Sequence, residues 1–218
     1  QAKKDTVRRY GGVITECEPS TSSREATFAE VQARTGGDFV HPYNDPRVIA
    51  GQGTAGREIA EDMAALGLTP DIVVAPASGG GLIAGVATAV KAKYPQAQVI
   101  VAEPAGYDDH ALSLKVGHRE AHAVAPRTIC DALMAMMPGE LTFAINSKLL
   151  ANGVNASDEE VGAAVAFAYR ELKLVVEPGG AIGLAALLAG RIDARGKNVV
   201  IVLSGGNVDA DLFAKLVA

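Results

Sequence analysis

The sequence predicts a three-layer α/β fold in which helices cover both faces of a mostly parallel sheet, preceded by a partial, smaller βα domain. Three observations carry that expectation. Short apolar runs alternate with helix-like segments along most of the 218 residues, as in sheets of parallel strands joined by helices. Two of the apolar runs, 73–77 and 198–203, empty into glycine turns, Ser78-Gly79-Gly80-Gly81 and Ser204-Gly205-Gly206-Asn207; open α/β sheets place their ligands at such strand ends. A hydrophobic content of 49% lets a chain of this length bury a sizeable core.

The opening segment, Lys3 to Tyr10, reads as the tail of a helix, Gly12 to Cys17 as a strand, Ser22 to Thr35 as an amphipathic helix and Asp38 to His41 as a short strand. Pro42, Pro46 and the polar residues between them mark a crossing between domains. Residues 1–45 are therefore expected to be part of a small domain, and 46–218 a large one. A helix is predicted from about Ile49 to Leu66, then a strand from Ile72 to Ala77, a helix from Leu82 to Lys93 and a strand from Gln98 to Glu103. Helices follow near Asp108 to Val116, across 128–150, from Asp158 to Leu172 and from Ala181 to Ala189, before a last strand, Val199 to Leu203. Ser157-Asp158-Glu159-Glu160 is a capping box, with the serine oxygen accepting from the first turn and the Glu160 carboxylate accepting from the Ser157 N–H.

Composition excludes several classes. Apolar stretches are broken by glycine or charge well before the ~18 residues that a membrane span needs, and no basic-then-apolar leader begins at Gln1. A formal net charge of −5 argues against a nucleic-acid surface. Cys17 and Cys130 stand alone, without metal or redox spacing; they fit a reducing cytoplasm and are read as buried small hydrophobes.

The stretch Val74 to Gly85 is the most informative. Consecutive glycines let backbone N–H groups converge, and the following helix adds its positive end, so the turn can hold a phosphate without a basic side chain. A plain strand-to-helix turn would use one or two glycines. Gly51-Gln52-Gly53-Thr54-Ala55-Gly56 satisfies the dinucleotide pattern G-x-G-x-x-G, but no proper strand precedes it and no strand ending in an acid follows about 20 residues later. Those glycines are read instead as letting their helix approach the sheet closely.

Three motifs in order, SGGGL at 78–82, EPGGA at 177–181 and LSGGN at 203–207, resemble the large domain of the fold-type II pyridoxal-phosphate (PLP) enzymes, specifically the serine/threonine dehydratase and serine racemase family with its tryptophan synthase β-like fold. Ala50-Gly51-Gln52-Gly53-Thr54, Ala102-Glu103-Pro104 and Asp131-Ala132 also fall where that family has similar segments. The resemblance assigns Ser78, Gly79, Gly80, Gly81 and Leu82 to the cofactor phosphate, with Ser78 standing where many members carry glycine. It assigns Ser204 to the pyridine nitrogen, where a hydroxyl leaves the nitrogen largely unprotonated, weakens the ring as an electron sink and favours elimination over transamination. Glu177 is placed facing the ring, and Tyr43 near ring or substrate. Read from the residues alone, the alternative for Ser204 is a helix N-cap and for Glu177 a surface carboxylate.

Glu103 to Asp109 offers two or three carboxylates and free carbonyls within one loop, the oxygen-only set that Mg²⁺ or Ca²⁺ prefers. The resemblance implies Glu103 and Asp109 as side-chain ligands and Tyr107, where other members have smaller residues, as a carbonyl ligand. The alternative is a solvated acidic loop in which Asp108 or Asp109 caps a helix. His41, His110, His118 and His122 show no metal spacing or acid partner and are read as structural or exposed.

The family attaches its cofactor through a lysine in an S-x-K-x-R motif, which these residues lack, as they lack an SSGNH-type loop. No lysine here is nominated as catalytic, and the chain is expected to begin about a third of the way into a family member. What the resemblance implies is a PLP-dependent dehydratase that removes the β-hydroxyl of L-serine or L-threonine to give a 2-oxo acid and ammonia. A lysine outside these residues would take the Cα proton. Serine racemase and 3-hydroxyaspartate dehydratase are the alternatives within the family, and a catalytically incomplete fragment or paralogue is the alternative outside it. A homodimer is implied by analogy, and a chain ending soon after LSGGN fits the short type without a regulatory domain.

Overall fold

The computed structural model describes residues 2–18, 21–124 and 126–218. They form two compact units, Gln1–His41 and Pro42–Ala218.

The first unit holds helices α1 (Ala2–Arg9) and α2 (Thr21–Thr35), and no strand among its described residues. The βα expectation fails here for a physical reason: a strand exists only by pairing, and neither 12–17 nor 38–41 has an edge to pair with. The amides of Gly11 and Gly12 instead close α1 on the Arg8 and Val7 carbonyls, each at 2.9 Å. Val13 is 92% exposed, and Cys17 is exposed as well, contrary to its expected burial, whereas Cys130 is buried. Phe39 packs its ring on Phe28 of α2, with centroids 3.9 Å apart.

The second unit is built on four parallel strands in the order β3-β2-β1-β4: β1 (Ile72–Pro76), β2 (Gln98–Pro104), β3 (Asn152–Ala156) and β4 (Val199–Ile201). The central strands bury both faces, which is why they read as unbroken apolar runs. Side chains alternate across the pleat. Val73, Ala75, Val99 and Val101 pack with Ile83, Val86, Ala87 and Val90 of α4 (Gly81–Lys93). Ile72, Val74, Ile100 and Ala102 pack on the other side with α7 (Asp158–Phe167) and α8 (Pro178–Leu188). Helix, sheet and helix make the three layers expected.

Helix α3 (Pro46–Ala65) starts on Asp45, whose Oδ1 accepts the Arg47 N–H at 2.7 Å. All of Gly51 to Gly56 lies within it, so the dinucleotide-like spacing is helical and its glycines serve packing. Their target is α4, not the sheet: a Cβ on Gly56 would lie 2.6 Å from the Val86 carbonyl oxygen, and one on Gly85 2.4 Å from that of Ile49. Backbone meets backbone here, an approach that only glycine permits.

Helix α5 (Asp109–Val116) and helix α6 (Glu140–Leu149) follow β2, but 128–139 is not helical. That loop is held from outside itself. Thr128 Oγ1 donates to Asp158 Oδ1 at 2.7 Å, and the Ile129 N–H donates to Oδ2 at 3.0 Å. The capping box forms as expected, with the Glu160 N–H on Ser157 Oγ at 3.3 Å and the Ser157 N–H on Glu160 Oε2 at 2.8 Å. Beyond Phe167 the predicted helix widens into a π-helical turn, Ala168–Leu172, that stops at Lys173 with φ +61°. Strand β3 and a C-terminal helix, α9 (Ala210–Val217), are additions to the expected elements; α9 lays Phe213, Leu216 and Val217 on the α7/α8 core.

Candidate functional site

The chain runs from β1 outward to β2 and β3, then returns to place β4 on the opposite side of β1. The strand order reverses between β1 and β4, and open α/β sheets bind ligands outside the carboxyl ends of strands at such a point. Val74 is in register with Ile201, so four residues after Val74 and three after Ile201 the turns opening at Ser78 and Ser204 leave the sheet side by side.

The first turn is a cradle of backbone. Gly79, Gly80 and Gly81 are buried, and Gly80 adopts φ +93° as the N-cap of α4, with no side chain capping the helix. An uncapped helix start presents N–H groups and the positive end of its dipole. Its outer wall is set by other segments. The Ala135 N–H donates to Ser78 Oγ at 3.1 Å, leaving the serine O–H as a donor. Thr142 Oγ1 and the Gly139 N–H both donate to the Gly79 carbonyl, at 2.6 and 3.1 Å. Tyr43 lies on the turn, where a Cβ on Gly79 would be 2.3 Å from its ring, and Asn44 Oδ1 accepts the Leu141 N–H at 2.8 Å.

The turn after β4 meets the start of α8. The Glu177 N–H donates to the Gly205 carbonyl at 2.9 Å, and a Cβ on Gly205 would lie 2.3 Å from Glu177 Oε1. Ser204 is exposed and bears its hydroxyl at the strand end. EPGGA and LSGGN, which begin 26 positions apart, thus form one wall.

The acidic loop after β2 turns Glu103, Tyr107 and Asp109 into the interior and leaves Ala105 exposed. Glu103, Asp109 and His110 are fully buried, and Tyr107 is 2% exposed with its hydroxyl donating to the Pro126 carbonyl at 2.9 Å. Glu103 caps α5: its Oε1 accepts the His110 N–H and its Oε2 the Ala111 N–H, each at 3.0 Å. Asp108 does not cap, and takes the Gly106 N–H and Asn155 Nδ2 instead, at 3.1 and 2.7 Å. Both oxygens of Asp109 have no hydrogen-bond partner. Burial, then the nearby charge of Glu103, push its carboxyl up to about 9. A buried carboxyl so placed must hold a proton or meet a cation, and one ligand atom each from Glu103, Asp109 and His110 lie within 4.8 Å of one another.

The histidines correct the sequence reading. His110 Nδ1 is 3.0 Å from Glu103 Oε1, His118 Nε2 3.2 Å from Glu120 Oε2 and His122 Nε2 3.2 Å from Asp108 Oδ1. Each has an acid partner, and His110 stands inside the candidate site. Its signal in the sequence was adjacency to Asp109.

The family described as "Pyridoxal-phosphate dependent enzyme" matches residues 1–205. The chain belongs to that family. It is 50% identical over 211 residues to a beta-hydroxyaspartate dehydratase of Paracoccus denitrificans, covering 97% of this chain and 65% of the relative. With an L-threonine ammonia-lyase of Thermotoga maritima it shares 41% over 189 residues, 86% of this chain and 45% of that one. The structure of maize serine racemase superposes with a TM-score of 0.89 at 37% identity, covering 98% of this chain and 65% of that protein. The chain therefore spans about half to two thirds of the length of these relatives.

The residues present fit the family's cofactor. PLP carries a phosphate ester, and the β1 turn offers an anion cradle, three buried glycines opening a helix whose first N–H groups no side chain caps. No lysine lies in the described turns 78–82 and 203–207 or in the loop 128–139, and no described helix is long and apolar enough to cross a membrane.

Proposed function

We propose that this chain supplies the phosphate-holding and ring-facing part of a PLP-dependent dehydratase that removes the β-hydroxyl of a small hydroxy amino acid, giving a 2-oxo acid and ammonia. The observation that carries the reading is the pairing of the glycine cradle with the Ser204 turn at the point where the strand order reverses. Amides of Gly79 to Leu82 and the Ser78 O–H hold the phosphate. Ser204 meets the ring nitrogen with a hydroxyl, which neither fully protonates it nor strengthens its pull on electrons. Glu177 is held against Gly205 so that its carboxylate faces the ring, and Tyr43 closes the cradle toward the substrate. The bound cofactor supplies an electron sink that acidifies the Cα–H of an attached amino acid. Glu103, Asp109 and the Tyr107 carbonyl hold a divalent cation, Mg²⁺ or Ca²⁺, which stabilises the loop beside the cradle. In this reading residues 1–45 are part of the small domain, 46–218 are the large one, and the protein is a homodimer.

A second reading, dehydration of 3-hydroxyaspartate, is favoured by the 50% identity to the Paracoccus dehydratase. One experiment tests both. The purified protein is incubated with PLP, reduced with borohydride and weighed intact, while a parallel sample is assayed for 2-oxo acid from L-serine, L-threonine and 3-hydroxyaspartate. A yellow protein that releases a 2-oxo acid supports the reading, and the best substrate decides between the two. A colourless protein that neither gains mass nor turns over any of the three overturns catalysis and leaves a cofactor-incompetent fragment or paralogue. Serine racemisation without 2-oxo acid would overturn the dehydratase assignment alone.

A further inference from the structure

The carboxylate pair and the glycine cradle share one residue, His110. Its imidazole is wholly buried, with Nδ1 3.0 Å from Glu103 Oε1 and 3.6 Å from Asp109 Oδ2. Nδ1 and Glu103 Oε1 are at hydrogen-bonding distance, with the ring as donor in the tautomer that protonates Nδ1. At the other end of the ring Nε2 has no hydrogen-bond partner and lies 2.4 Å from where a Cβ of Gly80 would stand. The imidazole therefore occupies the space beneath the positive-φ residue of the cradle. Asn146 Nδ2 reaches the Gly80 carbonyl at 3.4 Å, and its Oδ1 has no partner.

We propose that His110 is a positioning residue that couples the Glu103–Asp109 pair to the glycine cradle, so that a divalent cation held by the carboxylates and a phosphate held by Gly79 to Leu82 strengthen each other's binding. The inference rests on the cation and phosphate readings above. A cation drawn to Asp109 competes with the imidazole and the α5 amides for the oxygens of Glu103. Any shift of that carboxylate moves Nδ1, and in a close-packed interior the ring passes the displacement to Gly80. Gly80 orients the N–H groups that open α4. Coupling of this kind is reciprocal: the factor by which cation tightens phosphate binding equals the factor by which phosphate tightens cation binding.

The test measures both constants on the purified protein after chelation and dialysis, with PLP followed by equilibrium dialysis and Mn²⁺ by the paramagnetic signal of the free ion. The wild-type protein should show the same mutual factor in both directions, about five-fold or more. Two variants dissect the ring. In His110→Asn the amide nitrogen stands in for Nδ1 but cannot reach Gly80, and in His110→Gln it stands in for Nε2 but releases Glu103. Each should bind PLP and Mn²⁺ separately while the mutual factor falls below about two-fold. A residue that only filled space would weaken one constant and leave the factor unchanged. The proposal is overturned if both ligands bind the wild type without affecting each other, or if either folded variant keeps the wild-type factor. A wild type that binds neither PLP nor Mn²⁺ overturns the underlying readings, and the coupling with them.

Discussion

Gly80 concentrates more constraint than any other residue of the site. Its φ of +93° lies where a side chain is strained by about 1–3 kcal/mol, and a Cβ would lie 2.4 Å from His110 Nε2 and 2.8 Å from Asn146 Nδ2. Gly80→Ala is expected to lower the melting temperature by about 3–10 °C and to weaken PLP binding about ten-fold or more, the loss of a well-aimed anion contact; calorimetry and equilibrium dialysis check the two. Asp109 makes a pH prediction. Its carboxyl is raised from 3.8 to about 9 by burial and then by Glu103, so between those values the folded protein binds more protons here than the unfolded chain. Stability from this group is complete below 3.8 and is lost as pH rises toward 9. In chelator-treated protein the melting temperature should fall as pH is raised from about 5 to about 8.5, and Asp109→Asn should flatten that decline. A variant whose decline matches the wild type would show that Asp109 is ionised in the fold.

Among the elements, the α3–α4 pair makes the sharpest stability prediction. Gly85 faces the Ile49 carbonyl oxygen and the Gly53 nitrogen, at 2.4 and 2.5 Å from its missing Cβ. These are backbone atoms of a helix and cannot swing aside. Gly85→Ala should cost about 1–3 kcal/mol and lower the melting temperature by about 2–10 °C, with far-ultraviolet dichroism retained; an unchanged melting curve would show that the helices separate freely. The same pair explains why the glycine spacing at 51–56 resembled a dinucleotide fingerprint. Helices that cross at backbone distance and turns that cradle phosphate both exclude Cβ atoms. The elements that were legible in advance, such as β1, β2, α4 and the capped start of α7, carry their cause within themselves. Strand β3, with the sequence Asn152-Gly153-Val154-Asn155-Ala156, does not. It has no apolar run and forms because the edge of β2 pairs with it from Ile100 to Pro104.

At the scale of the whole molecule, the described chain divides at His41 and Pro42, and residues 36–41 lie outside any helix or strand, with Val40 70% exposed. Backbone without ladder or helix bonds opens readily to proteases. Limited digestion with chymotrypsin is expected to cut first after Phe39, leaving a fragment of 40–218 that unfolds cooperatively because it contains both cores. A first cut inside the sheet would contradict that division, as would a fragment with no transition. The sequence by itself determined the layered α/β class, the two glycine turns, the capping box and the family, because each is written in contiguous residues whose chemistry acts over one or two turns of chain. It marked Glu103 and Asp109 but not what they meet. Only the tertiary structure decided that Ser78 and Ser204 leave adjacent strands, that 128–139 is a loop held by Asp158 and Ser78, and that His110 stands between the acids and Gly80. Those outcomes bring together residues up to 126 positions apart, Ser78 and Ser204, and which buried polar group finds which partner is settled when the layers pack.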